Sequence, residues 1–438
     1  MRLPLLSGRL MSPPVAGDVT LTLDQDFLLN SGSTIARAAK KGPVPTFTRA
    51  SDAGSFISTG VFALVGANDL PRFAHDPADS NAQLGLLIEE VRTNVCLQSD
   101  DLETTWVNPG SSTTITADAG TAATGNVTAD DVKHTISTNS LQQLITATDN
   151  TVYTISAVVQ QGDTGSHDWV KMAWLDHSDG DNGFEAWFDL STGNVGTAQA
   201  TGTGSYTASS VFMTDIGGGR YRIGATGQIV SGQTDARFEI INTTADAVDT
   251  AETTNSVYWS SLQAEIGTFA SSIIPTTTAS VTRAAETCST TDVSWAADGV
   301  GTFVAEAVAV GQDSATLFSL NDGSTSDDIN SYWLTTNGNM ATRKTAGTDG
   351  DAQATAVNWA VGVSQKIAFA YATNDIALSV GGAAVITDSS ADPPAKADIT
   401  TFKIGGAATA TLWWNETIKS IKYYNVRKAD TFLVAETT

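Results

Sequence analysis

The chain has 438 residues, of which 41% are hydrophobic, 8% aromatic and 16% charged, and its net charge is −24. That length accommodates two or three domains with separate cores, while the acidic balance argues against nucleic-acid binding and against anionic membranes. No apolar run approaches the length of a membrane-spanning helix, so no membrane insertion is expected.

The first 49 residues depart from the acidic balance. Arg2, Arg9, Arg37, Lys40, Lys41 and Arg49 stand against Asp18, Asp24 and Asp26. Pro4, Pro13, Pro14 and Gly17, with no sustained hydrophobic period, mark residues 1–18 as an extended arm. Its basic charge suits docking onto an acidic partner, although a solvated terminus carries such charge equally well. The apolar patch after Met1 is cut by Ser7, Gly8 and Arg9, too early for a secretory signal. Residues 19–27 then alternate apolar and polar side chains, as a half-buried strand does. The arm and this first strand make up a segment 1–45.

Residues 46–105 follow a specific order of turns, arginines and apolar runs. FTRAS spans 47–51, Pro71-Arg-Phe-Ala-His-Asp-Pro77 follows, then Gly85-Leu-Leu-Ile-Glu-Glu-Val-Arg-Thr-Asn94, then Ser99-Asp-Asp-Leu102 and Thr105-Trp106. The stretch from Val257 to Thr276 and the Val281-Thr-Arg-Ala-Ala285 exit continue it. This succession resembles a module of tailed-bacteriophage virion proteins, found in head-spike fibres and tail proteins, where a similar series precedes a carbohydrate-binding-module-like sandwich. The resemblance frames residues 19–285. It implies a virion structural protein assembled in the host bacterial cytoplasm, with other capsid or tail proteins and host cell-surface polysaccharide as partners. Fibres of this kind are often homotrimers, but no coiled-coil heptad or triple β-helix repeat occurs here. Leu84 to Leu97 is the best helical candidate, read from the family match more than from periodicity.

From 106 to 285, alternating runs recur between turn clusters, at 151–159, 169–174, 183–189, 219–223 and 236–241. Short strands at that cadence point to a β-sandwich or jelly roll. Residues 286–438 read as a second sandwich, with strands at 301–308, 315–320, 366–371, 376–380 and 418–424. Its closing meander resembles laminin-G-like, concanavalin-type domains, a common lectin scaffold, and a scaffold alone does not establish sugar binding. One internal echo is present: Thr46-Phe-Thr-Arg-Ala-Ser51 and Ser280-Val-Thr-Arg-Ala-Ala285 both suit an edge strand entering a sandwich.

Chemistry-bearing residues are sparse. Cys96 and Cys288 form no metal-spacing motif and are expected as buried free thiols, with a disulfide as the alternative. His75 lies in a turn that favours a structural hydrogen bond. No serine sits in a G-x-S-x-G elbow and no E-x-D-x-x-E strand occurs, so hydrolase and glucanase chemistry lack support. The 176–183 loop gathers Asp176, Asp179 and Asp181, which would suit calcium, though an ordinary hairpin turn uses the same residue types. A second acidic loop at 321–328 carries the same two readings.

Sugar recognition pairs an aromatic face with amide and carboxylate groups. Trp413 and Trp414 beside Asn415 and Glu416 form the leading candidate, and Trp174 and Trp187 are further ones. Adjacent indoles on a strand face opposite sides, so one of Trp413 and Trp414 is expected to be exposed or at an interface. The expectation is an all-β protein: an arm, a connecting module at 46–105, a carbohydrate-binding-type sandwich at 106–285 and a laminin-G or concanavalin-like one at 286–438. Its expected function is non-enzymatic display of glycan-binding domains on a virion, with a virion depolymerase or a secreted adhesin as alternatives.

Overall fold

The computed structural model describes residues 20–28, 34–66, 69–79, 82–138, 140–162, 168–177, 181–206, 210–230, 232–308, 314–334, 337–343, 350–354, 362–409 and 411–438. For residue 37 and for 332–334, 337–343 and 350–354 it describes the backbone alone. The described chain is all-β, apart from three short 3-10 turns and one helix, Asp430–Thr437, that packs Leu433 and Phe432 against a sheet through Tyr424.

The front sandwich lies between residues 113 and 266. A five-stranded sheet, Leu141–Thr146, Asp235–Thr243, Trp169–Asp176, Gly183–Asp189 and Asn194–Thr201, faces a seven-stranded sheet centred on Val152–Gln161 and Val257–Ile266. Alternation decides which side chains enter the core. Along Trp169–Asp176, Val170, Met172 and Trp174 point inward with Phe184, Phe188 and Phe238, while Lys171 pairs across the strands with Trp187 on the outer face.

The rear sandwich is assembled from both ends of the chain. Its nine-stranded sheet places Leu21–Asp26 beside Glu416–Tyr424, followed by Gly301–Val308 and Ser364–Ala372, and Gln83–Ile88 pairs with the start of Glu416–Tyr424. In the opposing sheet, Thr46–Thr48 pairs with Thr287–Thr290. The front sandwich is therefore inserted within the rear one, and side chains from either side of it share the rear core, while Cys96 and Leu102 enter the front core. Leu23, Phe27, Phe47, Leu86 and Ile88 pack with Phe303, Phe318, Phe402, Trp414 and Tyr423. Removing any one of these large side chains would cost about 2–5 kcal/mol.

The helix expected over Leu84–Leu97 is not formed. Gln83–Ile88 and Arg92–Asn94 are strands instead. Gly85, at φ 113°, has the Ile418 carbonyl where a Cβ would lie, 2.3 Å from that oxygen, so only glycine lets these two strands close. Cys96 and Cys288 are both buried free thiols, and burial pushes the Cys288 thiol up to about 12.

Candidate functional site

The residues that make the 46–105 and 281–286 segments distinctive meet in one buried ion network where the two sandwiches join. Arg49 of FTRAS reaches Glu286 at 2.8 Å. Arg72 of the PRF turn spans Glu286 at 2.5 Å and Glu89 at 2.7 Å, and Arg283 reaches Glu89 at 2.9 Å. Ser272, just after the last strand of the front sandwich, donates through its amide and hydroxyl to Glu89 and accepts from Arg72 and Arg283. Burial alone would raise the Glu89 pKa, but Arg283 and Arg72 pull it down to about 2. Burial likewise works against the Arg72 charge, and Glu286 and Glu89 reverse it. Such a network fixes geometry, because each member left without its partner would be a buried charge. The two arginines of the internal echo, Arg49 and Arg283, both enter it.

Beside this network opens a groove of about 630 Å³. Trp413, Phe269, Arg92, Glu90, Ile266 and Ser314 are among its lining residues. Trp413 is half-buried and donates from Nε1 to the Glu286 carbonyl at 2.9 Å, which anchors the edge of the indole. Trp414 turns the other way and is 1% exposed in the rear core. The divergence comes from a turn rather than from strand alternation: Leu412 and Asn415, at φ 57° and 56°, flank the pair in left-handed conformations. The Asn415 side chain then accepts the Glu90 amide at 2.7 Å, tying the turn to the groove.

Arg92 lies over the Phe269 ring at 4.5 Å, pairs with Glu90 at 2.6 Å and donates to the Ile266 carbonyl. Gly267 makes this possible. At φ 147°, a Cβ there would sit 1.3 Å from Arg92 Nη1. Two aromatic faces, a guanidinium and a carboxylate along one open groove are the elements that recognise the apolar faces and hydroxyls of a sugar chain.

The remaining predicted residues fall elsewhere. Trp174 is fully buried, stacked on Tyr153 at 4.8 Å, and Trp414 is equally enclosed; neither presents a face to a ligand, which corrects their assignment as glycan platforms. Trp187 does lie on the outer face of the five-stranded sheet but is 1% exposed, because the segment 244–250 folds over it. Its Nε1 donates to the Val248 carbonyl at 3.0 Å, and Asp246 of the same segment accepts from the Thr197 amide at 2.7 Å. Beneath that cover, Lys171 contacts Glu185 at 3.0 Å and Asp249 at 2.5 Å. Burial opposes the Lys171 charge, and the two carboxylates hold its pKa above the ordinary value. Glu416 lies away from the groove, in a separate cavity.

The loop expected to suit calcium lies partly outside the described residues. Asp176 accepts from the Asn182 side-chain amide at 2.9 Å, Asp181 pairs with Arg237 at 2.5 Å, and Asp179 lies outside the described residues. Arg2 and Arg9 also lie outside them. Arg37 is the last residue of the 3-10 turn Ile35–Arg37, which the Ala38 amide closes onto the Ile35 carbonyl at 3.0 Å. Lys40 and Lys41 are spent within the fold, on Asp26 and the Leu21 carbonyl. His75 donates from Nδ1 to the Phe73 carbonyl, 3.1 Å away. Sequence reasoning passed over Arg92, Glu90 and Phe269, although RTN and the Ile266-Gly-Thr-Phe269 run were both legible; nothing in their local pattern says that they meet.

Neither a protein-family model nor a curated relative matches the chain. Among solved structures, it is similar to the sialidase CBM40 of Ruminococcus gnavus bound to α2,3-sialyllactose, at 21% identity over 32% of this chain and 83% of that one, with a TM-score of 0.28. It is also similar to domain 4 of AbnA, an extracellular arabinanase from Geobacillus stearothermophilus, in complex with arabinotriose, at 11% identity over 35% and 73% of the chains and a TM-score of 0.30. Mouse laminin α1 domains LG4-5 match at 11% identity over 66% and 87%, with a TM-score of 0.23.

Proposed function

We propose that the protein is a non-enzymatic, glycan-binding component of a bacteriophage head fibre, spike or tail appendage, and that it holds host-surface polysaccharide in the groove at the sandwich junction. The observation that carries the glycan reading is the pairing of Trp413 and Phe269 with Arg92 and Glu90 along that groove. The virion reading is supported by the ordered FTRAS, PRF-x-HDP and GLLIEE-x-RTN series. Docking to other virion proteins falls to the residues ahead of Leu21, since Lys40 and Lys41 already have partners in the rear sandwich.

Binding without cleavage is favoured because Glu90 is the only carboxylate among the described residues that line the groove, and it is paired with Arg92. Glycoside hydrolysis by two carboxylates needs a second one roughly 5–9.5 Å away. The test incubates purified protein with capsule or lipopolysaccharide of the host strain, measuring retention on immobilised polymer and the polymer's size distribution. Retention with unchanged polymer length is expected. Shortened polymer would make the protein a depolymerase, and its absence from purified particles by mass spectrometry would remove the virion assignment.

A further inference from the structure

A second opening at the junction shares no lining residue with the groove. It is a cavity of about 170 Å³, and its lining includes Ser55, Phe56, Phe62, Arg222 and the two carboxyl groups of Glu89 and Glu416. Two of these groups are incompletely used by the protein. The Ser55 hydroxyl is buried in a residue 4% exposed and has no hydrogen-bond partner among the described residues. Arg222 donates to the Ser271 carbonyl and, at 3.4 Å, to the Ser156 hydroxyl, both neutral, and no carboxylate lies within ion-pair distance of it among the described residues.

The charged groups that act on that guanidinium are Glu265 and Glu89, with Arg283 opposing them. Glu265 is occupied by Ser271 and Gln263, and Glu89 by Arg72 and Arg283. Both acids near Arg222 are therefore engaged by other donors, and neither forms an ion pair with it among the described residues. Glu416, across the cavity, is the remaining acid; burial and then Glu89 drive its carboxyl toward the protonated form, at about 7, in which it donates rather than neutralises. The Phe56 and Phe62 rings, 5.9 Å apart edge to face, form the apolar part of the wall.

We propose that this cavity binds one carboxylate-bearing sugar residue of uronic-acid type, with its carboxylate on Arg222, a ring hydroxyl on Ser55 and an apolar ring face against Phe56 and Phe62. The volume suits a single six-membered ring and not a chain. A charge-assisted contact from a guanidinium to a carboxylate is short and directional, so it selects the acid over the neutral sugar. The site is independent of the groove reading, because Trp413 and Phe269 take no part in it.

The experiment is calorimetric titration of the full chain with glucuronate, glucose and acetate, followed by the same titrations on three variants. Glucuronate is expected to bind, with glucose and acetate each weaker by roughly tenfold or more. Arg222→Gln should weaken glucuronate binding by a similar factor. Ala74→Leu, which fills the cavity from a wall position outside the ion network, should abolish binding while the protein stays folded, so the conclusion survives if Arg222→Gln fails to fold. Trp413→Ala should leave glucuronate affinity unchanged even where it ends polymer retention. No heat with glucuronate at millimolar concentration, acetate binding as tightly as glucuronate, or full binding by Ala74→Leu would each overturn the proposal.

Discussion

The junction groove and the outer face of the five-stranded sheet carry the same inventory, an indole with a cation and a carboxylate, and differ in what lies on top. At the sheet face, segment 244–250 places the Val248 carbonyl on Trp187 and Asp249 on Lys171, and the face is closed. At the junction, the turn from Leu412 to Asn415 sends Trp414 into the core and leaves Trp413 against an open groove. Availability of an aromatic platform is thus decided by the loop or turn beside it, which residue type and strand period do not encode.

The largest effect should come from what holds the junction together. Arg72→Met leaves Glu89 and Glu286 buried with fewer counter-charges, and a loss of about 3–5 kcal/mol of unfolding free energy is expected in denaturant titration. Glu286→Gln, which keeps the shape but removes one charge, should lose less than Arg72→Met. Equal stability of Arg72→Met and wild type would mean that packing alone joins the sandwiches.

The two tryptophans sharpen the comparison directly. Trp187→Ala should cost about 3 kcal/mol of stability, as a buried indole does, and leave polysaccharide retention unchanged. Trp413→Ala should weaken retention by about 1–3 kcal/mol, in line with other ring-stacking losses, with a melting temperature close to wild type. A reversal of the two outcomes would move the binding face to the sheet and make 244–250 a cover that opens.

Much of the strand pattern is legible in the amino-acid sequence. Gly183–Asp189 and Gly301–Val308 fall where alternation places them, although their second faces are buried as well, Trp187 under segment 244–250 and Val304 beside Tyr424. The insertion of one sandwich within the other is not legible, because Leu21–Asp26 finds its partner nearly the whole chain away, at Glu416–Tyr424. Local pattern carries no information on a pairing of that separation. Gln83–Ile88 misleads for a related reason: its run from Gly85 onward is buried on both faces, and periodicity cannot tell such a strand from a buried helix. At the candidate site, the sequence implies that Trp413 and Trp414 diverge, though for a strand. Phe269 and Arg92, which complete the groove, are brought there by Gly267 and the closing sheet.

The smallest effect separates the two carboxylates that the junction shifts in opposite directions. Glu89, pulled down to about 2 by Arg283 and Arg72, contributes stability above the unfolded value near 4.5 and loses it as pH falls through 2. Glu416 does the reverse: its carboxyl, raised to about 7 by burial and then by Glu89, keeps its proton in the folded chain at pH values where the unfolded chain has lost it. Its contribution is fully present below 4.5 and is lost as pH rises through 7. Glu416→Gln retains an oxygen to accept the Thr417 amide and hydroxyl, at 2.7 and 3.2 Å in the wild type, and removes the titration. At pH 5 the variant and wild type should differ little in urea midpoint. At pH 8 the variant should be the more stable by about 1–2 kcal/mol, a figure discounted for the carboxyl's partial exposure. Asp130, raised by burial to about 6, titrates in the same range in both proteins, so the difference between them belongs to Glu416, and a variant that tracks wild type across the whole range would show that Glu416 ionises freely and that the cavity wall is open to water.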